Sequence, residues 1–211
     1  MKKIAILIAA FIMSAPAFAQ LVPGAGYLNG NFSTTKDGKV TKSARNGFYA
    51  GASYQFNLSA MDGLSFVPGA YFAMVSANAS DSVNLGPLSQ SATYTFTEMD
   101  LMIPAYFKYL VGDAGGAKVY LFAGPTVQYG LSAKNVTKAS GLINGEDTDD
   151  FYAGDTGYNR LNVYIGGGIG MGFKNLSLNV GYDYGMMNIF RGVDGYTGNR
   201  SNLHVGVSFA L

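Results

Sequence analysis

Apolar and polar residues alternate with a period of two along several stretches of the chain. In the clearest stretch, residues 176–186, Leu, Val, Tyr and Met occupy every second position, with Ser, Asn, Gly and Asp between them. Successive side chains of a β-strand point to opposite faces, so this pattern predicts a strand with one apolar face. The same alternation predicts eight strands, near residues 24–35, 45–58, 64–76, 92–111, 118–133, 160–173, 176–187 and 201–211.

The connections between these predicted strands alternate in length. Four are long, at roughly 36–44, 77–91, 134–159 and 188–200, and the three between them are short, at 59–63, 112–117 and 174–175. Long outer loops, short periplasmic turns and an even number of antiparallel strands are typical of bacterial outer-membrane barrels. The pattern therefore predicts an all-β protein, an eight-stranded antiparallel up-and-down transmembrane β-barrel.

Aromatic residues at the outward-facing positions lie near both ends of the predicted strands. If the short connections are periplasmic, one band (Phe56, Phe66, Phe107, Tyr109, Phe173 and Phe209) lies at the periplasmic ends, and another (Phe48, Phe72, Tyr129 and Tyr184) lies at the outer ends. Aromatic girdles flank the apolar band of membrane barrels, whereas a soluble barrel buries its apolar face inside. The two bands favour a membrane barrel.

Three prolines fall inside predicted strands. Pro68, Pro104 and Pro125 each remove one hydrogen-bond donor from a ladder. A closed barrel has no edge strand to accommodate them, so we expect local bulges. A bulge at Pro104 would reverse the facing of the residues that follow it.

The first residues are organised like a secretory signal peptide. Residues 1–3 carry two lysines, residues 4–13 are apolar, and Ala17-Phe18-Ala19 matches a small-x-small cleavage site. We therefore predict a signal peptide at 1–19, cleaved near Ala19, and an outer-membrane barrel domain at 20–211.

Composition removes several classes of function. Charged residues make up 13% of the chain, about half the share of an average soluble domain, which excludes a disordered or nucleic-acid-binding chain. The absence of Cys excludes disulfides, thiolate metal sites and a cysteine nucleophile, and a single His excludes a multi-histidine zinc site. No cofactor and no nucleic-acid partner are expected.

The search for catalytic residues centres on the only histidine, His204. Ser208 lies four residues further along the same strand, about 13 Å away at 3.3 Å per residue, too far for a hydrogen bond. A serine on a neighbouring strand, or Asp183, could approach His204. The glycine-rich run at 166–170 matches no phosphate-binding motif, and no helix follows it. No catalytic residue is therefore predicted.

The remaining charges are predicted to lie inside the barrel. Parity along the strands places Arg45, Glu98, Asp100, Lys108, Arg160, Asp183 and His204 on the inward face. An eight-stranded barrel is just wide enough for side chains to fill it, and a buried charge is costly unless it is paired. We expect a salt-bridged polar plug; a narrow ion path is the alternative.

The fifth connection is rich in carboxylates. Glu146, Asp147, Asp149, Asp150 and Asp155 are weak candidates for a cation site, since oxygen-rich loops can bind Ca²⁺ but their spacing is not that of an EF-hand. Phe151 and Tyr152 interrupt this acidic run and suggest a contact surface. We therefore expect that any protein or surface ligand binds at 134–159 and 188–200.

Two segments carry family resemblances. Residues 99–109, with the sequence MDLMIPAYFKY, followed by Gly124-Pro125, resemble the PorT-like outer-membrane β-barrel family, and residues 24–29 are similar to that family's first strand. This resemblance implies the barrel fold over the whole mature chain. Residues 204–211 resemble the β-signal read by the outer-membrane insertion machinery, with His204, Gly206, Phe209 and Leu211 at its specified positions.

These observations predict a small non-enzymatic outer-membrane barrel in contact with membrane lipid, acting through its extracellular loops in surface contact, adhesion or envelope integrity. Two alternatives stay open. The PorT-like resemblance implies an accessory membrane component of a secretion or envelope complex. Some outer-membrane barrels are lipid-modifying enzymes, the class disfavoured here by the absence of a triad.

Overall fold

The computed structural model describes residues 19–83, 90–141, 144–154 and 157–211. The predicted signal peptide, apart from Ala19, lies outside these residues. The strands are β1 (Ala19–Lys36), β2 (Lys39–Asn57), β3 (Leu64–Val83), β4 (Gln90–Ala114), β5 (Ala117–Gly141), β6 (Gly145–Asp150), β7 (Gly157–Tyr158), β8 (Leu161–Phe173), β9 (Leu176–Gly185), β10 (Phe190–Arg191) and β11 (Tyr196–Phe209).

Eight of these strands form a closed antiparallel ring. Their hydrogen-bonded order is β4-β3-β2-β1-β11-β9-β8-β5, and pairing between β4 and β5 closes the circle. Every strand of the ring is antiparallel to both of its neighbours. The predicted eight-stranded up-and-down barrel is confirmed.

The apolar face of the ring points outward. Leu176, Leu178 and Val180 of β9 are about half exposed, whereas Asp183 on the opposite face is buried. The predicted girdle residues Phe48, Tyr129, Phe173 and Phe209 are also exposed on the outer surface. The described part of the chain contains no helix long and apolar enough to cross a membrane.

The long outer connections are largely strand rather than loop. The predicted loop 36–44 is wrong, because β1 and β2 stay paired up to Lys36 and Lys39 and are joined by Asp37-Gly38 alone. Both turn residues have positive φ, 48° and 76°, as a two-residue type I′ hairpin requires. β3 likewise extends to Val83, β4 already begins at Gln90, and β5 extends to Gly141. Alternation disappears in these segments because both faces are polar, so the pattern did not mark them as strands.

The three prolines interrupt the hydrogen-bond ladders, but the bulges predicted at them do not occur. Pairing is interrupted beside each of Pro68, Pro104 and Pro125, but the register is the same on both sides of each gap. Facing is therefore unchanged across Pro104: Met102 is buried, and Ile103 and Phe107 are exposed. The missing donors open gaps in the ladder instead of producing bulges.

A bulge does occur in β5, at Leu131. Met99 pairs with Ser132 and Asp100 with Gly130, which leaves Leu131 as an extra residue. Facing switches there, so that Leu131 is exposed and Ala133, two residues later, is fully buried. A second register shift falls between Leu110 and Gly112, near the C-terminal end of β4.

Candidate functional site in the barrel lumen

The half of the lumen beside the long hairpins, called the outer half after the predicted orientation, holds an ion cluster centred on Glu98. Its Oε2 lies 2.9 Å from Nη1 of Arg45, and its Oε1 lies 2.7 Å from Nη1 of Arg200. The hydroxyl of Tyr152 donates to the same Oε1 at 2.6 Å. All four side chains are buried. Both carboxylate oxygens are therefore compensated by charge-assisted bonds, the arrangement in which a buried ion is tolerated.

Asp100 completes the charge balance of this outer half. It is buried and lines a cavity of about 20 Å³ together with Arg200, Gln128 and Asn202. The formal charges of the two arginines and the two carboxylates cancel. A space of this size holds about one water molecule, so the outer half of the lumen is closely packed.

Aromatic rings cover the ion cluster from the outside. The guanidinium carbon of Arg45 lies 3.8 Å from the ring centroid of Phe96 and 4.4 Å from that of Phe32. Phe151 stacks on Tyr158 with 4.7 Å between ring centroids. We call this group the outer cap; it comprises Phe32, Phe96, Ala133, Phe151, Tyr152, Tyr158, Ile189 and Phe190.

The prediction that Phe151 and Tyr152 form an exposed contact surface is wrong. Tyr152 is only 5% exposed, and Phe151 is half-buried against the outer cap. Burial, reinforced by the neighbouring Glu98 carboxylate, raises the pKa of the Tyr152 hydroxyl. The hydroxyl therefore keeps its proton and its bond to Glu98. These two rings anchor the fifth connection in the mouth of the barrel while the acidic residues around them face solvent.

The half of the lumen beside the short turns, called the periplasmic half after the predicted orientation, contains a second buried carboxylate, Asp183. The hydroxyl of Tyr106 donates to its Oδ1 and Oδ2 at 3.0 and 3.1 Å, and Thr126 donates to that hydroxyl at 3.1 Å. Nε2 of His204 lies 3.6 Å from Oδ2. Asp183 and His204 both line a cavity of about 130 Å³ that continues to residues near the periplasmic ends of the strands.

The remaining charge in this half belongs to Lys108. Its Nζ donates to Oε1 of Gln55 at 3.1 Å and lies 4.0 Å from the centroid of the Tyr120 ring. Among the described residues, no ion pair joins Lys108 to a carboxylate. The half-buried ammonium is thus held by an amide oxygen and an aromatic face.

Glycines make room for the lumen side chains. A Cβ on Gly181 would lie 2.5 Å from Nε2 of His204, and one on Gly168 would lie 2.6 Å from Cζ of Phe122. A Cβ on Gly166 would collide with the Asp183 carboxylate. The glycine-rich segment of β8 and its neighbour on β9 therefore serve close packing of rings and carboxylate against the barrel wall.

The residues that the sequence predicts to line the lumen lie in three separate places. Arg45, Glu98 and Asp100 meet in the outer half, and Lys108, Asp183 and His204 surround the periplasmic cavity. Arg160 stands at the outer rim, where its Nη1 donates to the carbonyls of Gly130 and Leu131 at 3.1 and 3.2 Å.

Sequence reasoning missed Arg200. The alternation predicts a connection that ends at residue 200, whereas β11 begins at Tyr196. Arg200 shares parity with Asn202 and His204, both of which are buried. Continuing the alternation of His204 and Asn202 by one further step of two residues would have placed Arg200 in the lumen.

The acidic candidates do not converge. Glu146, Asp147, Asp149 and Asp150 form the exposed strand β6, and Glu146 makes a surface ion pair with Lys138 at 3.4 Å. Asp155 lies outside the described residues. Within the described ranges, no group of three or more acidic or histidine side chains is arranged to hold a metal ion.

The residues of the predicted insertion signal lie at the end of β11. His204 and Gly206 face the lumen, Phe209 faces outward, and the backbone N–H of Leu211 donates to the carbonyl of Leu21 at 3.0 Å. This bond ties the C-terminus to β1, at the seam where the last strand closes the ring.

Comparisons with known proteins agree with this architecture. Residues 14–191 match the family described as outer membrane protein beta-barrel domain. No curated protein matches the sequence.

Among solved structures, Ail, the attachment invasion locus protein of Yersinia pestis, is 14% identical with a TM-score of 0.44, over 91% of this chain and 99% of that one. Neisserial surface protein A is 14% identical with a TM-score of 0.41, over 92% and 99%. The outer membrane enzyme PagL is 13% identical with a TM-score of 0.33, over 87% and 99%. Likeness at this level concerns the fold and does not extend to activity.

Proposed function

Because this chain belongs to the outer membrane protein beta-barrel domain family, we propose that it is a non-catalytic barrel that acts at the cell surface through its outer hairpins. Its place is the bacterial outer membrane, with its apolar face in lipid. The proposed roles are surface contact, adhesion or envelope integrity, with the ligand or protein bound by the segments 134–159 and 188–200 and the neighbouring hairpin ends.

The observation that carries this proposal is the continuation of paired strands beyond the apolar band. Above Phe72 and Met74, the outward positions of β3 change to Ser76, Asn78 and Ser80, while pairing with β4 persists to Val83. The outer cap packs the base of these hairpins against the ion cluster. Strands that are already paired lose little conformational entropy on binding, which favours a role in recognition.

The hairpin ends carry opposite charges. Lys36, Lys39 and Lys42 are exposed on the β1–β2 hairpin, and β6 is exposed and acidic. Nζ of Lys36 lies 4.8 Å from the ring centroid of Tyr196. We propose that the basic hairpin favours anionic surfaces and that β6 disfavours them, since complementary charge governs partner choice and association rate.

Attachment of cells that express the barrel tests this. Cells are applied to heparin-coated and uncoated surfaces, with the wild type compared with a K36Q/K39Q/K42Q variant and with an Asp62→Asn control in the periplasmic turn. We expect the triple variant to lose most charge-dependent attachment and the control to keep it. Equal attachment by all three proteins, with equal amounts in the membrane, would contradict the proposal.

One observation favours a second candidate, a lipid-modifying enzyme: the acid–imidazole approach of Asp183 and His204. Against it, Nε2 of His204 has no hydrogen-bond partner among the described side chains, so no hydroxyl nucleophile is activated there. A lipid-hydrolysis assay with a His204→Ala control separates the candidates. Hydrolysis that disappears in this variant would replace the non-catalytic proposal.

Assembly and partners extend the proposal. We propose that residues 1–19 are removed as a signal peptide and that the insertion machinery reads His204, Gly206, Phe209 and Leu211. The PorT-like resemblance supports a further association with a secretion or envelope complex. Crosslinking in intact cells, followed by identification of co-purified proteins, tests this association: capture of such a complex supports an accessory role, and isolation of the barrel alone opposes it.

A further inference from the structure

We propose that the periplasmic half of the lumen is a binding site for a small organic ammonium ion. The cationic group would lie against Asp183, and the aromatic side chains of the cavity would surround its alkyl groups. This inference is independent of the surface role proposed for the outer hairpins.

Among the described residues, Asp183 is a buried carboxylate that pairs with no lysine or arginine. It is 1% exposed, and its partners among the described residues are the hydroxyl of Tyr106 and, at 3.6 Å, the imidazole of His204. Glu98, in the outer half, is held by two guanidinium groups. Burial of a carboxylate is expensive unless an opposite charge compensates it, so the cavity beside Asp183 favours a cation.

The wall of the cavity is aromatic. Ring contacts run from Tyr71 to Tyr49 (5.6 Å between centroids), from Tyr49 to His204 (6.2 Å), from His204 to Phe122 (6.0 Å) and from Phe122 to Tyr106 (5.2 Å). The faces of such rings attract cations within about 6 Å, and most strongly where water is excluded. Alkylammonium ions, which are weakly hydrated, suit this wall better than metal ions do.

The chain itself shows that this wall accepts an ammonium group. Nζ of Lys108 lies 4.0 Å from the Tyr120 ring centroid at the edge of the same cavity. Oε1 of Gln55 accepts the hydrogen bond of this ammonium group at 3.1 Å, so one acceptor and an aromatic face are enough to hold it there.

Size and access limit the ligand. The cavity of about 130 Å³ is slightly smaller than the cavity of about 150 Å³ that binds benzene. It therefore admits only a compact ammonium ion, and choline, which is larger than benzene, fits only with its hydroxyethyl arm toward the end of the cavity near the short turns. The lining includes Val22, Gln55 and Ser208, close to the periplasmic ends of β1, β2 and β11. Because the ion cluster and the outer cap close the other end, the ligand would enter from the periplasm.

Binding of choline to the full barrel, refolded in a maltoside detergent, tests the proposal by isothermal titration calorimetry. The matched probe is 3,3-dimethylbutan-1-ol, which has the shape of choline without its charge. We expect choline to bind at least about tenfold more tightly than the alcohol. Absence of choline binding, or equal binding of both probes, would overturn the proposal without the need for any variant.

Variants then locate the site. Asp183→Asn keeps the shape of the side chain and removes its charge, and Asp62→Asn makes the same change in the exposed turn after β2. We expect the first change to weaken choline binding at least about tenfold and the second to leave it unchanged. Circular dichroism checks that both variants fold. Equal choline affinity in Asp183→Asn and the wild type would refute the assignment to Asp183.

Discussion

Each half of the lumen contains a buried carboxylate, and the two carboxylates have different partners. Glu98 has an arginine on each oxygen and a tyrosine hydroxyl beside them, under a cap of aromatic rings. Asp183 has one tyrosine hydroxyl, an imidazole beyond hydrogen-bond distance and a cavity of about 130 Å³. The first arrangement fixes neighbouring strands and connections together, and the second leaves an interaction open. We therefore expect the outer half to stabilise the fold, and we propose that the periplasmic half binds a ligand.

The largest effect should come from neutralising Glu98. Glu98→Gln leaves Arg45 and Arg200 buried with Asp100 as their only carboxylate neighbour, so we expect a loss of about 3–5 kcal/mol in the free energy of unfolding. Because the chain lacks Trp, circular dichroism in guanidinium is the suitable measurement. A loss below about 1 kcal/mol would show that the ion cluster is not the structural centre of the outer half.

A smaller effect should follow removal of the Tyr152 hydroxyl. Tyr152→Phe keeps the ring in the outer cap and deletes its hydrogen bond to Glu98, which should cost about 1.5–3 kcal/mol. Tyr158→Phe is the matched control, because its hydroxyl accepts only a long 3.5 Å bond from Arg45. If the two variants unfold at the same denaturant concentration, the bond to Glu98 contributes little.

At the periplasmic rim, we expect Phe209→Ala to impair insertion into the membrane more than it lowers the stability of the folded barrel. Phe209 and Phe173 are both outward and about half exposed, so truncation of either to Ala should lower stability similarly, by at most about 1.5–3 kcal/mol. Phe209→Ala should in addition lower membrane levels in cells well below those of Phe173→Ala. Equal membrane levels of the two variants would mean that Phe209 contributes only through burial of its ring.

The smallest effect on stability is expected at Asp183. Asp183→Asn removes a carboxylate with no fixed cation and retains an oxygen for the Tyr106 hydroxyl, so the free energy of unfolding should change by less than about 1 kcal/mol. The same unfolding experiment as for Glu98→Gln measures it. A loss as large as that of Glu98→Gln would erase the difference between the two halves.

The alternation of side chains made the barrel predictable, because facing depends only on parity within each strand. Parity cannot tell which inward residues meet, since this depends on strand register around the closed ring. The bonds of Glu98 to Arg45 and Arg200, on three different strands, were therefore beyond sequence reasoning. The bulge at Leu131 could not be predicted, because apolar residues continue at every second position through Leu131 and Ala133 as if the strand were regular. The hairpins above the membrane were missed because polar residues occupy both of their faces.

The orientation of the barrel is the premise on which the surface role rests, and cysteine labelling tests it most directly. The chain lacks Cys, so Ser43→Cys on the exposed part of β2 and Ser59→Cys in the turn after β2 each introduce a single thiol. Intact cells are treated with a membrane-impermeant maleimide, and lysed cells serve as the reference. We predict that Ser43→Cys is labelled in intact cells and that Ser59→Cys is labelled only after lysis. The reverse pattern would place the hairpins in the periplasm and contradict a function at the cell surface.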